Sequence, residues 1–275
     1  MDKVGRYICR AMLISLLVGA AAAPGAWAAR DKIINSFPAP TQYSSGLTYG
    51  GGVLYLCDNV TMTIYRMNPN TGSVMSSFVP SPKPTGRFMY GLAYSSGYLW
   101  ANTGSPTKLF KIIPATGSVV SSYAVPDVTR NDGIAADASY VYFANNSSTE
   151  FYIYKFSPAS GTVVKSWPGA KYPGGMNVIT HVPTSKQVVM NLGNVDGWVY
   201  IFDLDGTRHD GEQFKIDAPC PESFFTGDLA TRDKTHIFFA SSYLEVIYEH
   251  EIDWGGQEEY AVRPTSLGRI RALFR

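Results

Sequence analysis

The chain has 275 residues and sets 23 Lys+Arg against 22 Asp+Glu, with 45% hydrophobic and only 16% charged residues. A charged share so far below the usual ~25% excludes a disordered, solvating chain. The even charge balance gives no overall electrostatic basis for binding nucleic acid, and none is expected as a partner. Glycine at 26, proline at 17 and an aromatic share of 13% point to many short strands joined by turns.

Residues 1–28 read as an export signal. Lys3, Arg6 and Arg10 precede an apolar stretch from Ala11 to Ala23, Pro24-Gly25 breaks it, and Ala26-Trp27-Ala28 has the small-x-small pattern of a cleavage site. The apolar run is well short of the ~20 residues a spanning helix needs. The expectation is a secreted or periplasmic protein with no transmembrane segment after cleavage. Removing the signal leaves a slightly acidic chain with two cysteines, Cys57 and Cys220. They either pair as one disulfide or stay separate as buried thiols.

The rest of the chain repeats. Gly46-Leu-Thr-Tyr49 recurs as Gly91-Leu-Ala-Tyr94 and Gly133-Ile-Ala-Ala136, each followed by a turn and a strand, Val53–Cys57, Tyr98–Ala101 or Tyr140–Ala144. A third strand follows at Thr63–Met67, Lys108–Ile112 or Tyr152–Phe156. Each unit then turns at Asn70-Thr-Gly72, Ala115-Thr-Gly117 or Ala159-Ser-Gly161 toward an aromatic: Phe78, Tyr123 or Trp167. Two degenerate copies start near Asn177 and Gly227. Four short strands every roughly 40–45 residues is the pattern of propeller blades.

The last copy lacks a fourth strand of its own after Val246–Ile252. A matching one stands at the other end of the chain, where Ile33-Ile-Asn-Ser-Phe37-Pro-Ala-Pro40 parallels Met75-Ser-Ser-Phe78-Val-Pro-Ser-Pro82. The spacing therefore predicts an all-β fold: a single β-propeller of five four-stranded blades, closed by the N-terminal strand (about 32–37) completing the last blade. The ring takes residues 29–253. Residues 254–275 are a linker and a short C-terminal helix, with Leu267, Ile270 and Phe274 near helical spacing among Arg269, Arg271 and Arg275.

The unit Gly91-Leu-Ala-Tyr94, Tyr98-Leu-Trp-Ala-Asn102, Leu109-Phe-Lys-Ile112 and Ala115-Thr-Gly-Ser-Val119 resembles the YncE/YVTN-like and NHL-like propeller repeats. That broad superfamily includes virginiamycin B lyase-like and gluconolactonase-like propellers. The resemblance covers residues 32–253 and implies fold rather than activity. Gluconolactonase-like propellers hold a divalent metal through carboxylates and amides near the axis, but no Glu stands at the inner-strand starts here. None of the four histidines sits in a motif matching the lyase. Phe202-Asp-Leu-Asp-Gly-Thr207 spells a phosphatase motif, yet its Asp205-Gly-Thr207 falls in register with the repeated turns.

In a propeller the loops that open each inner strand share one face with those joining second and third strands. This face is expected to carry Tyr43, Tyr90, Arg130, Asn131, Asp132, Asn177 and Phe225 from the first set, and Asp58, Asn102 and Asn145 from the second. Aromatic platforms beside amides, carboxylates and one Arg suit a polar small molecule, a glycan or a protein segment. The same Asn and Asp residues are also turn formers. The sequence predicts a monomeric, exported, non-enzymatic binding propeller. The alternative is a metal-assisted hydrolase or lyase with its site in the funnel. No cofactor or catalytic residue can be named.

Overall fold

A computed structural model of the protein describes residues 31–86, 88–104, 107–125, 131–145, 152–169, 173–180, 187–193, 198–208, 214–215, 227–233, 235–241 and 244–252. Residues 1–28 and 254–275, expected to be an export signal and a linker with a short helix, lie outside them, as do Cys220, Arg130 and Phe225. Among the described residues no helix is long and apolar enough to cross a membrane.

The strands run β1 (Asp31–Pro38), β2 (Ser44–Gly50), β3 (Val53–Asp58), β4 (Ile64–Met67), β5 (Val74–Phe78), β6 (Phe88–Ser95), β7 (Tyr98–Gly104), β8 (Lys108–Ile112), β9 (Val119–Ala124) and β10 (Asn131–Ala136). They continue with β11 (Val141–Asn145), β12 (Tyr152–Ser157), β13 (Thr162–Pro168), β14 (Pro173–Thr180), β15 (Gln187–Gly193), β16 (Trp198–Asp203), β17 (Phe214–Lys215), β18 (Gly227–Thr231), β19 (His236–Ser241) and β20 (Val246–Ile252). Together they build a single all-β propeller of four-stranded antiparallel blades. Sheets β2–β5, β6–β9, β10–β13 and β14–β17 each take consecutive strands. A further sheet has the order β1-β20-β19-β18, joining the two ends of the chain. Phe37 stands opposite Ile247 and Asp31 opposite Ile252, the antiparallel pairing the repeat comparison predicts.

The inner strands pack side by side in the order β2, β6, β10, β14, β18, and β18 packs in turn on β2. Among the described residues, alternating apolar side chains bury at the seams between neighbouring blades. Tyr55, Cys57 and Ile64 meet Met89, Leu92 and Phe110 at one seam. Leu47, Leu56 and Met67 meet Phe37, Phe238, Ala240 and Ile247 at the seam of β18 with β2.

The repeated Thr-Gly turn has a packing cause. Gly72, Gly117 and Gly206 have φ of 69°, 74° and 94°, a conformation glycine takes without steric cost. A Cβ on them would stand 2.3 Å from Phe37, 2.6 Å from Phe78 and 2.6 Å from Trp167, respectively. The aromatic that ends one blade's outer strand thus lies on the turn of the next blade. On the third strands, Lys111 sits 3.9 Å over the Tyr98 ring and Lys155 sits 4.1 Å over Tyr140. These cations cap the aromatic ends of the seams.

Two boundaries differ from the sequence reading. The fourth inner strand begins at Pro173 rather than at Asn177, which lies inside β14 opposite Met190. In the last blade, Asp228 rather than Gly227 occupies the place of Gly46. Gly46 faces Cys57, then Ile64, then Phe78, while Asp228 faces Ala240, then Ile247, then Phe37. A neighbouring glycine one residue early had drawn the alignment.

Candidate functional site

All inner strands begin at the same end of the propeller, and four of them break register there. The shifts fall between Ser44 and Gly46, Met89 and Gly91, Asn131 and Gly133, and Pro173 and Met176. One extra residue bulges from each of the first three: Ser45, Tyr90 and Asp132. Bulges bend a strand and re-aim a side chain, and they concentrate at rims and beside sites. The glycine after the bulge is required by close approach. A Cβ on Gly46 would stand 2.7 Å from the backbone of Gly91 and Leu92, and one on Gly91 would stand 2.8 Å from Ile134.

The predicted loop residues sit mostly in strand ends rather than in loops. Asp58 closes β3 opposite Ser44, and Asn145 closes β11 opposite Asn131. Tyr90, Asn131 and Asp132 lie within inner strands. Tyr43 precedes β2 and is 47% exposed. The structure therefore gathers Tyr43, Asp58 and Tyr90 at the mouth of the first two blades and places the backbones of Asn131, Asp132 and Asn145 at the same end of the third. Arg130 and Phe225 lie outside the described residues. Asn177 lies deeper along its strand than the sequence reading put it.

Two of these residues already have structural partners. The Asp58 carboxylate accepts hydrogen bonds from the Thr41 hydroxyl and from the backbone N–H groups of Val60 and Thr61, at 2.9 Å and 2.7 Å. It pins the linker before β2 to the turn after β3. Burial pushes its pKa up, but these donors outweigh burial and hold the carboxyl below its usual range. Asn102 is fully buried, and its Oδ1 accepts from the Gly91 backbone N–H at 2.6 Å. It fixes the strand just past the Tyr90 bulge.

Tyr90 packs against Phe88 with ring centroids 6.0 Å apart and a tilt of 56°. A Cβ on Gly104 would stand 2.7 Å from the Tyr90 ring, so the glycine leaves room for this aromatic. The Ser45 hydroxyl donates to the Met89 carbonyl at 2.8 Å, tying one bulge to the next blade, and lies 3.3 Å from Cys57 Sγ. Cys57 is a free, buried thiol, and burial pushes its pKa up to about 12.

Ser44 was not among the residues predicted for this face, and Asn59 follows Asp58 in the second loop set. Ser44 Oγ and Asn59 Oδ1 are both shielded from solvent without a hydrogen-bond partner. They lie side by side at this mouth, since the Asn59 N–H donates to the Tyr43 carbonyl and Ser44 faces Asp58. Nothing in a serine or a turn asparagine announces this in sequence. Among the described residues no group of three or more His, Cys, Asp or Glu side chains is placed to hold a metal.

No family model matches the chain, and no curated protein matches it in sequence. Its fold is similar to that of solved propellers. Glutaminyl cyclase from Myxococcus xanthus superposes with a TM-score of 0.59 at 12% identity, covering 81% of this chain and 96% of that one. The PQQ-bound aldose sugar dehydrogenase from Streptomyces coelicolor gives 0.51 at 13% identity, covering 81% and 98%. A chain of the mitotic checkpoint complex gives 0.51 at 12% identity, covering 86% and 99%. At these identities the likeness is one of fold, and the fold serves enzymes and protein-binding propellers alike.

Proposed function

We propose that this chain is an exported, non-enzymatic propeller that binds a polar small molecule, glycan or protein segment at the mouth where its inner strands begin. In this reading the ring has five blades and is closed by β1, and residues 1–28 are removed on export. The pairing of β1 with β20 and the packing of β18 on β2 support the closed ring.

The observation that carries the binding reading is the repeated bulge. Successive inner strands break register at one end, and each of the first three carries one extra residue there: Ser45, Tyr90 and Asp132. A ladder that only needed to pack would keep its pairing. Half-buried Phe88 and Tyr90 and exposed Tyr43 supply the stacking surface such a ligand needs.

The test is a thermal-shift screen of the protein against sugars, amino acids, short peptides and divalent cations. A ligand at about 100 times its Kd adds roughly 2.7 kcal/mol of stability, a shift easily read. Tyr90→Ala, Asp132→Ala and Arg130→Ala should each abolish the shift while melting as folded proteins. A hit whose shift survives all three substitutions places binding elsewhere. A broad panel without any hit counts against the reading.

A further inference from the structure

The outer strands repeat an irregularity of their own. In β1, Ile33 faces His250 and Asn35 faces Glu249, so Ile34 has no place in the ladder. Met75 of β5 stands in the same way between Val74, which faces Met67, and Ser76, which faces Arg66. Val120 of β9 lies between Val119 and Ser121, which face Ile112 and Lys111. Val164 of β13 lies between Val163 and Lys165, which face Phe156 and Lys155. In all four strands the extra residue comes three before the blade's aromatic: Phe37, Phe78, Tyr123 or Trp167. It is apolar each time, and 42–52% exposed.

The hairpin turns do not account for it. In β5, β9 and β13 a turn with Gly72, Gly117 or Gly161 precedes the bulge, but β1 reaches β20 from the other end of the chain, with no turn joining them, and bulges at the same place. What the four strands share is position. Each is the last strand of its sheet, so one row of its backbone N–H and C=O groups faces no further strand among the described residues. Ser81 alone reaches across, bridging Ser118 just before β9. Such a row is a template for pairing with another chain, and charged residues, prolines or bulges blunt it. Val74-Met-Ser-Ser-Phe78 and Val119-Val-Ser-Ser-Tyr-Ala124 contain neither a charge nor a proline. Short uncharged segments rich in β-branched and aromatic residues pair readily with their own copies. On these two strands the bulge is the guard that is left, because it breaks the ladder and increases the local twist.

We infer that the outer bulge keeps copies of this chain apart: without its extra residue, β5 or β9 pairs edge to edge with the same strand of a second copy. The device belongs to the outside of the propeller. It does not depend on what the mouth binds.

Deleting the extra residue moves no other pair. Without Met75, Val74 and Ser76 become consecutive opposite Met67 and Arg66; without Val120, Val119 and Ser121 do so opposite Ile112 and Lys111. The test is sedimentation velocity of the full chain over a concentration series, with hydrogen exchange to locate any contact. The wild type should keep one sedimentation coefficient, and its outer strands should exchange equally fast when dilute and when concentrated. Each deletion should raise the weight-average mass toward that of a dimer as concentration rises, with new protection in the shortened strand. Adding Ser122→Lys to the chain lacking Val120 puts a charge on the flattened edge and should restore the wild-type coefficient. A deletion chain that melts like the wild type and keeps its coefficient overturns the inference. So does association that protects strands other than the shortened one. The wild type decides even where a deletion chain fails to fold: protection of β5 or β9 that grows with concentration would show edges already pairing across their bulges, and the inference falls.

Discussion

The Asp228 carboxylate accepts a hydrogen bond from the Leu47 backbone N–H at 3.0 Å, joining two inner strands 181 residues apart in sequence. At the two seams that follow it a glycine, Gly46 or Gly91, holds this place and the next inner strand closes directly on it. Here a buried carboxylate spans the gap, and it also accepts from the N–H of Leu229. The seam where the two halves of the chain meet is thus latched at the axis by one side chain.

Removing that latch should cost more than its net hydrogen bond. Asp228→Ala leaves the Leu47 N–H buried and unpaired, a loss of about 1–3 kcal/mol. Asp228→Asn keeps an acceptor and should recover part of it. Urea unfolding followed by tryptophan fluorescence reads the difference. A fully stable Asp228→Ala protein would show that the seam is held by packing alone.

The glycines that face the neighbouring blade make an opposite pair of predictions. Gly46→Ala drives a Cβ to within 2.7 Å of backbone atoms that cannot swing aside, so overpacking should cost about 1–3 kcal/mol or more. Gly52 has nothing within 4 Å and only a positive φ of 77° to lose. Gly52→Ala should therefore be the milder change, near ~1 kcal/mol. Comparable losses in a denaturant titration would remove close approach as the reason for the Gly46 repeat position.

These contrasts explain how far the sequence could be read. Strands and turns were legible because the units repeat the same residues for local reasons: glycine at a positive φ, lying under an aromatic at Gly72, Gly117 and Gly206, and alternating apolar residues facing the seams. The pairing of β1 with β20 was legible because Ile33–Phe37 carries the pattern of Met75–Phe78. The bulges were not, because an inserted residue such as Ser45 or Tyr90 leaves no mark on a short alternating pattern. Asn102 was read as a loop amide for its turn propensity, whereas the cross-strand bond it accepts from Gly91 keeps it inside β7. Asp228 was displaced by one because glycine identity, rather than pairing, set the alignment.

Ser44 provides a substitution expected to help. Its hydroxyl is buried without a partner, and an unsatisfied buried hydroxyl costs on the order of 1–3 kcal/mol. Ser44→Ala should leave stability unchanged or raise it by about 1 kcal/mol. A clear loss would mean that the hydroxyl has a partner in solution, such as an ordered water bridging to Asn59.

Alkaline pH should loosen the fold through Cys57 and Tyr248. Burial pushes both groups up to about 12, above ordinary values of 9.0 for the thiol and 10.0 for the phenol. In the unfolded chain they lose their protons near those ordinary values, whereas in the folded protein they keep them to about pH 12. Between roughly pH 9 and pH 12 the unfolded state binds fewer protons, so stability falls as pH rises. The contribution is intact below pH 9. Denaturant midpoints across this range should drift downward in the wild type and less in Cys57→Ala combined with Tyr248→Phe. A disulfide reagent at pH 8 should meanwhile modify Cys57 only as fast as the protein opens.

The attachment of β1 to β20 should depend on one residue more than on its ladder. Within β1, Lys32, Ile34, Ser36 and Pro38 are exposed, and Phe37 is the side chain that is buried. Its ring lies 6.4 Å from Phe238 and covers the Gly72 turn of the first blade. Asn35 adds a bond to the Asn70 carbonyl at 3.2 Å, and Arg232 reaches both Glu249 and Asn70 at 2.7 Å. The two contacts to Asn70 are exposed and contribute about 0–1 kcal/mol each, whereas Glu249 itself is buried. Phe37→Ala should cost about 3–5 kcal/mol, while Asn35→Ala should cost less than about 1 kcal/mol. Hydrogen exchange locates the damage: β1 and β20 should lose protection first in Phe37→Ala, ahead of β6–β9. Uniform loss across all blades would mean that β1 is one element of a single cooperative ring rather than a strand anchored by Phe37.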